Sequence, residues 1–303
     1  NLLISIREIS NIFRTLKPDI IFSYTHKAIL ASSIASRVSG HKNIFSFITG
    51  TGHIFDNNSL KEKLIRQLGS LALKMSLHFN KLIFFQNPDD KFLFERKKIA
   101  SPKKTRLVNG SGVNLEKFVV TKLPSKPIFL CMARLIKSKG ILEFAKAAQI
   151  IREHNPEARF LLFGYPDDHV DSIDESEIIN EWNEKYGIEY MGYSSNPIHS
   201  INECSVFVLL SYKEGTPRVV LEAMAMGRPI ITTDTPGCRE TVIDQLNGFL
   251  VPKKDYLNAA SSMKVLLDPD LRQKMGNESR RYCESKFDVH NINDFLFNEM
   301  RVK

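Results

Sequence analysis

Cysteine is scarce: four in 303 residues, with Cys131, Cys204, Cys238 and Cys283 lying far apart. Such spacing excludes a small disulfide scaffold and offers no metal-ligand pair. The four read as buried thiols in a reducing compartment. Long apolar runs are missing too. The longest, such as Ile128–Ala133 and Val206–Leu210, are strand-sized, well short of the roughly 18 residues of a membrane span. Glycine and proline together number 28, and no repeat or low-complexity tract occurs. With 43% apolar and 25% charged residues, disorder and collagen are excluded. No secretory signal is read at the start. The chain opens with Asn1 rather than Met, and is expected to be a fragment or a processed product.

Acidic residues are few in the first part. Residues 1–124 hold 8 of them against 20 Lys and Arg, a net +12, while residues 125–303 sum to −4. The basic part suits an anionic partner: nucleic acid, anionic lipid or a phosphorylated substrate. A solubilising basic face is the alternative.

Apolar spacing predicts helix over 2–16, strand over 20–24, helix over 28–38 capped by Gly40, and strand over 43–49. A helix capped by Ser59 follows to about Phe79, then strand 82–85, helix 89–97 and strand 105–108. Leu123-Pro124-Ser125-Lys126-Pro127 reads as a linker. Beyond it, strands are expected at 128–133, 159–163, 188–191, 206–210, 229–233 and 248–251. Helices are expected at 140–153, 173–185, 197–203, 217–226, 237–243 and 255–267, with residues 270–300 all helical. Such alternation implies two α/β domains with doubly wound parallel sheets and ligands at strand carboxyl ends. The expected divisions are residues 1–123, 124–285 and a C-terminal helix over 286–303, packing back on the first domain.

Two strand ends carry chemistry. Strand 206–210 runs into Glu214-Gly215-Thr216-Pro217 and a new helix. Thr216 is placed to cap that helix and Pro217 to occupy its first position. The free N–H groups there suit a diphosphate. Glu214 and Glu222 offer acceptors for sugar hydroxyls. Glu181 and Glu189 share their spacing, but span a helix-to-strand junction and read as solvated carboxylates. Strand 128–133 ends in Arg134, Lys137 and Lys139. Arg134 as a fork and Lys139 as a point charge suit a diphosphate clamp, with Lys137 solvated.

Together, Ala133-Arg134-Leu135 with Lys139-Gly140 and the run from Glu214 to Asp234 resemble the donor domain of glycosyltransferase family 4. Gly237-Cys238-Arg239-Glu240 and Asn247–Val251 fit the same resemblance. In the first part, Lys17–Ile21, Ile48–Gly52 and Gln86–Asp90 resemble the capsule and O-antigen subgroup. The resemblance implies a GT-B fold: two Rossmann-like, doubly wound domains facing a cleft. It implies a retaining, metal-independent hexosyltransferase in surface polysaccharide biosynthesis, taking a nucleotide sugar expected to be UDP-linked. The acceptor would be polyprenyl-diphosphate-linked or another glycan. Glu214, Arg134 and Lys139 would be catalytic, Arg134 and Lys139 binding the diphosphate and Glu214 the sugar. Glu222 would hold the ribose diol, and Met191 and Gly192 would lie near the base. Gly215, Thr216, Pro217, Arg218 and Val219 would line the sugar and phosphates. The family's opening strand and glycine-rich loop are expected to be missing. Thr49-Gly50 stands where many members carry His, and His53 is not assigned its role.

Other readings are weaker. Asp268-Pro269-Asp270 has the letters of a metal motif but the position of a helix cap. Gly50-Thr51-Gly52 lacks the third glycine of a dinucleotide loop. A basic half without interleaved aromatics argues against nucleic acid. Residues 59–79 form a basic amphipathic helix, suited to an anionic membrane surface or to the core. The expected location is cytoplasmic, at the inner face of the cell membrane. A sugar-nucleotide epimerase or hydrolase of GT-B shape, and an inactive remnant or binding protein, are the alternatives.

Overall fold

The computed structural model describes residues 2–51, 60–167 and 171–301. The chain divides into two compact units, Asn1–Gly110 with Asn293–Lys303, and Ser111–Ile292.

The first unit contains α1 (Leu2–Leu16), β1 (Ile21–Tyr24), α2 (His26–Ser39), β2 (Ile44–Ile48), α3 (Leu60–His78), β3 (Leu82–Phe85), α4 (Pro88–Arg96) and β4 (Thr105–Leu107). Its four strands are parallel, in the order β1-β2-β3-β4, which runs one way as in one half of a doubly wound sheet. One sheet face packs against its helices through Ile29, Ile48, Leu73, Leu77, Ile83 and Phe85. A buried polar link crosses this face: Ser46 Oγ donates to Asn80 Oδ1 (2.6 Å), and Asn80 Nδ2 to Ser33 Oγ (2.9 Å). Gln86–Asp90 proves to be a helix start, with the Asp90 N–H donating to Asn87 Oδ1 at 2.8 Å. Ser59, Gly52 and His53 lie outside the described residues.

The second unit contains β5 (Ile128–Met132), α5 (Ile141–His154), β6 (Arg159–Phe163), α6 (Glu175–Glu177), α7 (Asn183–Tyr186), β7 (Ile188–Tyr190), α8 (Pro197–Asn202), β8 (Val206–Leu209) and α9 (Arg218–Ala225). Then follow β9 (Ile230–Thr233), β10 (Gly248–Val251), α10 (Tyr256–Val265) and α11 (Pro269–Lys286), while α12 (Val289–Met300) begins in this unit and belongs to the first from Asn293 onward. Six parallel strands run β10-β9-β8-β5-β6-β7. The order reverses between β5 and β8, so the crevice for a ligand opens at their carboxyl ends. Those ends carry Arg134 and Glu214.

Three expected helices change form. Over 173–185 a π turn (Ile178–Trp182) separates two short helices. Buried Ile178, Trp182 and Tyr186 are spaced by four, and the widened turn keeps them on one face. Over 237–243 only a 3₁₀ turn (Arg239–Thr241) forms. Residues 270–300 break into two helices, because Val113 pairs with the backbone at the break: its N–H donates to Phe287 O at 2.9 Å, and its carbonyl accepts from Val289 N at 3.1 Å. The stretch from Phe118 to Ser125, which leads into the segment read as a linker, is tied down by arginines of the second unit. Arg280, Arg228 and Arg272 donate to the carbonyls of Phe118 (2.8 Å), Thr121 (3.0 Å) and Ser125 (2.8 Å).

Candidate active site

The loop after β5 is seated by its own backbone. Ala133 N–H donates to Phe163 O and Leu135 N–H to Tyr165 O, both at 3.0 Å, while the Leu135 side chain is fully buried. A short turn (Lys137–Lys139) then meets Gly140, which takes φ 69°. A Cβ there would stand 2.1 Å from the Leu210 carbonyl oxygen, so only glycine lets the β5 loop lie against the end of β8. Tyr212 N–H then donates to Ser138 O at 2.8 Å. Two segments distant in sequence thereby become one surface.

The loop after β8 is clamped from the other side. Thr235 Oγ1 donates to Ser211 O at 3.2 Å, and Glu214 N–H to Pro236 O at 3.2 Å. A Cβ on Gly237 would lie 2.1 Å from Gly215 O. Helix α9 starts at Arg218 with Pro217 as its N-cap and no side-chain cap. This corrects the expectation that Thr216 caps the helix and Pro217 is its first residue. Thr216 is instead buried. The first bonds back to Pro217 O come from Val220 and Leu221, at 3.0 and 3.3 Å. A helix dipole with no capping side chain faces whatever binds there.

Beside α9 lies a cavity of about 260 Å³. Arg134, Arg218, Val219 and Glu222 line it, together with Tyr165 and Tyr193. Glu222 is only 7% exposed and accepts from Arg218 Nε at 3.1 Å. Burial raises its carboxyl above the usual range, with Arg218 opposing. The Arg134 guanidinium pairs with Asp167. Lys139 pairs with Glu214, both largely buried. The site offers three cations, two shielded carboxylates, a helix N-terminus and an aromatic rim.

Residues 114–282, more than half of the chain, match the family described as glycosyl transferases group 1. The chain belongs to this family. As a group 1 glycosyltransferase it is an enzyme that transfers a hexosyl group. It is 27% identical over 276 residues to N,N'-diacetylbacillosaminyl-diphospho-undecaprenol alpha-1,3-N-acetylgalactosaminyltransferase of Campylobacter jejuni, covering 86% of this chain and 71% of that protein. It is 24% identical over 307 residues to UDP-Gal:alpha-D-GlcNAc-diphosphoundecaprenol alpha-1,3-galactosyltransferase of Escherichia coli, covering 95% and 77%. Sucrose-phosphate synthase from Thermosynechococcus elongatus superposes with a TM-score of 0.83 at 21% identity, covering 98% of this chain and 76% of that one. That likeness shows the fold, and two parallel Rossmann-like units are the GT-B architecture.

Within this glycosyltransferase the expected site residues separate into groups. Arg134, Arg218, Val219 and Glu222 share the cavity, and Lys139 and Glu214 share an ion pair. Gly192 accepts from Gly164 N–H at 2.9 Å, and Met191 is 43% exposed; neither lines the cavity. Tyr165 and Tyr193 were not anticipated. Their rings meet edge to face at 5.7 Å. The available signal was position, since each follows a glycine just past a strand: Gly164 after β6, Gly192 after β7. Lys137 is exposed, as read. Glu189 is held on the surface by Arg159 (2.5 Å), and Asp268 caps α11 by accepting from Asp270 N–H at 2.8 Å.

Proposed function

We propose that this enzyme is a family 4 glycosyltransferase of the capsule and O-antigen type. It moves a hexose from a UDP-sugar to a polyprenyl-diphosphate-linked acceptor, with retention and without a metal. The observation that carries the reading is Glu222. A shielded carboxylate lines the same cavity as Arg134 and the start of α9, which suits a ribose diol beside a diphosphate. The two relatives act on diphospho-undecaprenol-linked acceptors, and one of them takes UDP-Gal, which supports the acceptor class and the UDP donor.

Cleavage of a sugar nucleotide leaves a diphosphate anion and an oxocarbenium-like sugar. Arg134, Lys139 and the N–H groups of Arg218 and Val219 are aimed at the leaving charge. Each such preorganised donor is worth about 2.7–4 kcal/mol in the transition state. Glu214 holds sugar hydroxyls, with Gly215, Thr216 and Pro217 shaping the turn beside it. Met191 and Gly192 flank the base. The leaving phosphate takes the acceptor's proton on the face it departs from. The lipid-linked acceptor places the enzyme at the inner face of the cell membrane, peripherally. Among the described residues no helix is long and apolar enough to cross a membrane.

The test is calorimetry of UDP with a chelator present, followed by turnover on a polyprenyl-diphosphate-linked sugar. Undiminished UDP binding and an α-linked product from an α-linked donor are expected. Strict metal dependence or an inverted product would overturn the proposal.

A further inference from the structure

The cavity beside α9 holds two aromatic rings that the sugar-transfer steps do not use. Tyr165 and Tyr193 both line it, at 45% and 70% exposure. Apolar ring surface gathered at one mouth marks a binding place. The rings are held and do not simply dangle. The residues just before them are joined, Gly164 N–H donating to Gly192 O at 2.9 Å. Tyr190 Oη donates to Gly164 O at 3.1 Å and braces the same strand end. The two rings then meet with their planes 81° apart. Such an edge-to-face pair leaves a ring face uncovered for a third flat group.

The cavity has two chemically different ends. Arg218 and Glu222 stand on α9, and Arg134 follows β5. Tyr165 and Tyr193 follow β6 and β7, which lie beyond β5 in the sheet. A nucleoside diphosphate with its charge and ribose at the α9 end therefore brings its base to the rings. Between the ends, Met132, Phe163 and Val219 line the cavity with apolar side chains.

One hydroxyl, that of Ser194, also lines the cavity. Ser194 Oγ lies 2.7 Å from Ser200 Oγ, and either oxygen can be the donor. Ser200 Oγ also reaches Asn196 O at 3.5 Å. When Ser200 turns its proton to Asn196, Ser194 donates to Ser200 and keeps lone pairs for a donor. When Ser200 donates to Ser194, the Ser194 proton is left for an acceptor. The pair thus meets an edge group of either polarity.

We infer that Tyr165 and Tyr193 are the platform on which the donor's nucleobase stacks, and that Ser194 with Ser200 lets the platform take uracil and cytosine alike. Stacking on an aromatic face does not depend on base identity. Uracil and cytosine differ in a carbonyl acceptor against an amine donor, the difference the hydroxyl pair absorbs. The inference rests on the nucleotide-sugar reading above and adds how the base is held and how weakly it is chosen.

Calorimetry of UDP, CDP and inorganic pyrophosphate on the 303-residue chain and its variants tests it. CDP should bind within about tenfold of UDP, whereas a site with fixed edge partners rejects the wrong polarity by about 10⁴-fold. Tyr165→Ala and Tyr193→Ala should each weaken UDP and CDP at least about fivefold and leave pyrophosphate unchanged. Tyr165→Phe and Tyr193→Phe should bind like the parent, because the ring face remains. Ser194→Ala should weaken UDP and CDP equally. Thermal melting at the parent temperature shows that each variant folds. A larger gap between UDP and CDP, or unequal losses in Ser194→Ala, would overturn the tolerance. Phenylalanine variants as weak as the alanine ones, parent-like alanine variants, or a parallel loss of pyrophosphate would overturn the platform. In those cases UDP binding by the parent chain leaves the donor reading standing. A parent chain that binds neither UDP nor CDP would remove that reading and this inference together.

Discussion

Lys139 donates to the carboxylate of Glu214 across 75 residues of sequence, and the two side chains are only 17% and 15% exposed. Each is the other's counterion until an anion arrives. Removing either should therefore separate phosphate binding from sugar binding. Lys139→Gln and Arg134→Gln should each weaken UDP by about 1.5–3 kcal/mol, the worth of a charge-assisted hydrogen bond, with little change for uridine. Glu214→Gln should spare UDP itself and weaken the UDP-sugar. Calorimetry with uridine, UDP and UDP-sugars checks the pattern. Equal losses for uridine and UDP would contradict it.

Glu222 gives a pH signature. Burial raises its carboxyl above the ordinary range. A carboxyl with a raised folded-state pKa adds stability that is complete below its unfolded value, roughly 4.3, and lost as pH rises through the folded value. At neutral pH the charged side chain thus works against the fold. Glu222→Gln should raise Tm at neutral pH and converge with the parent in acid. It should also weaken UDP by about 1.5–3 kcal/mol, mostly through the ribose. A variant that melts lower at neutral pH would sink this.

Much of the fold is legible because buried parallel strands are short continuous apolar runs. Strands β3, β6 and β10 fall where the apolar runs place them. The short elements were harder. In 237–243 the buried residues Cys238, Thr241 and Val242 mimic a helical face, yet the chain closes only a 3₁₀ turn. At 287–288 the helix break comes from a strand-like contact with Val113, far away in sequence. In the site, Arg134 and Glu222 were readable from motif and strand end. The tyrosine rim was not, because Tyr165 and Tyr193 meet Arg134 only once β5, β6 and β7 stand side by side.

Gly140 is the joint between the loops that follow β5 and β8. Gly140→Ala would place a methyl 2.1 Å from the Leu210 carbonyl oxygen at a φ that L residues avoid. The left-handed conformation alone costs about 1–2 kcal/mol, and the overlap adds to it. Urea unfolding of the second unit should show a loss of more than about 2 kcal/mol. UDP affinity should fall with it, although residue 140 carries no ligand-binding side chain. Parent-like stability would mean that the loops do not meet as described.

Arg228 tests whether buried charge can organise a loop without an ion pair. Its side chain has no exposure, and burial lowers its pKa. It donates to the carbonyls of Met226 (2.5 Å), Ile201 (3.2 Å) and Asn202 (3.3 Å), and to both the carbonyl and the hydroxyl of Thr121 (3.0 and 2.8 Å). One planar fork thus ties the entry segment of the second unit to the end of α8 and the end of α9. Lysine has the charge but a single point of donation, so it cannot reach three separated segments at once. Methionine has similar bulk and leaves the carbonyls orphaned, at about 1–3 kcal/mol for each that water does not reach. Both Arg228→Lys and Arg228→Met should destabilise the second unit by about 3 kcal/mol or more, with methionine the worse. The damage should be local. Amides near Thr121 and in residues 199–204 should exchange faster, while those of β3 in the first unit keep their protection. Arg272 and Arg280 still hold Ser125 and Phe118, so the segment should loosen at its middle and not peel away. Full rescue by lysine would show that charge, and not the geometry of the fork, keeps this segment in place.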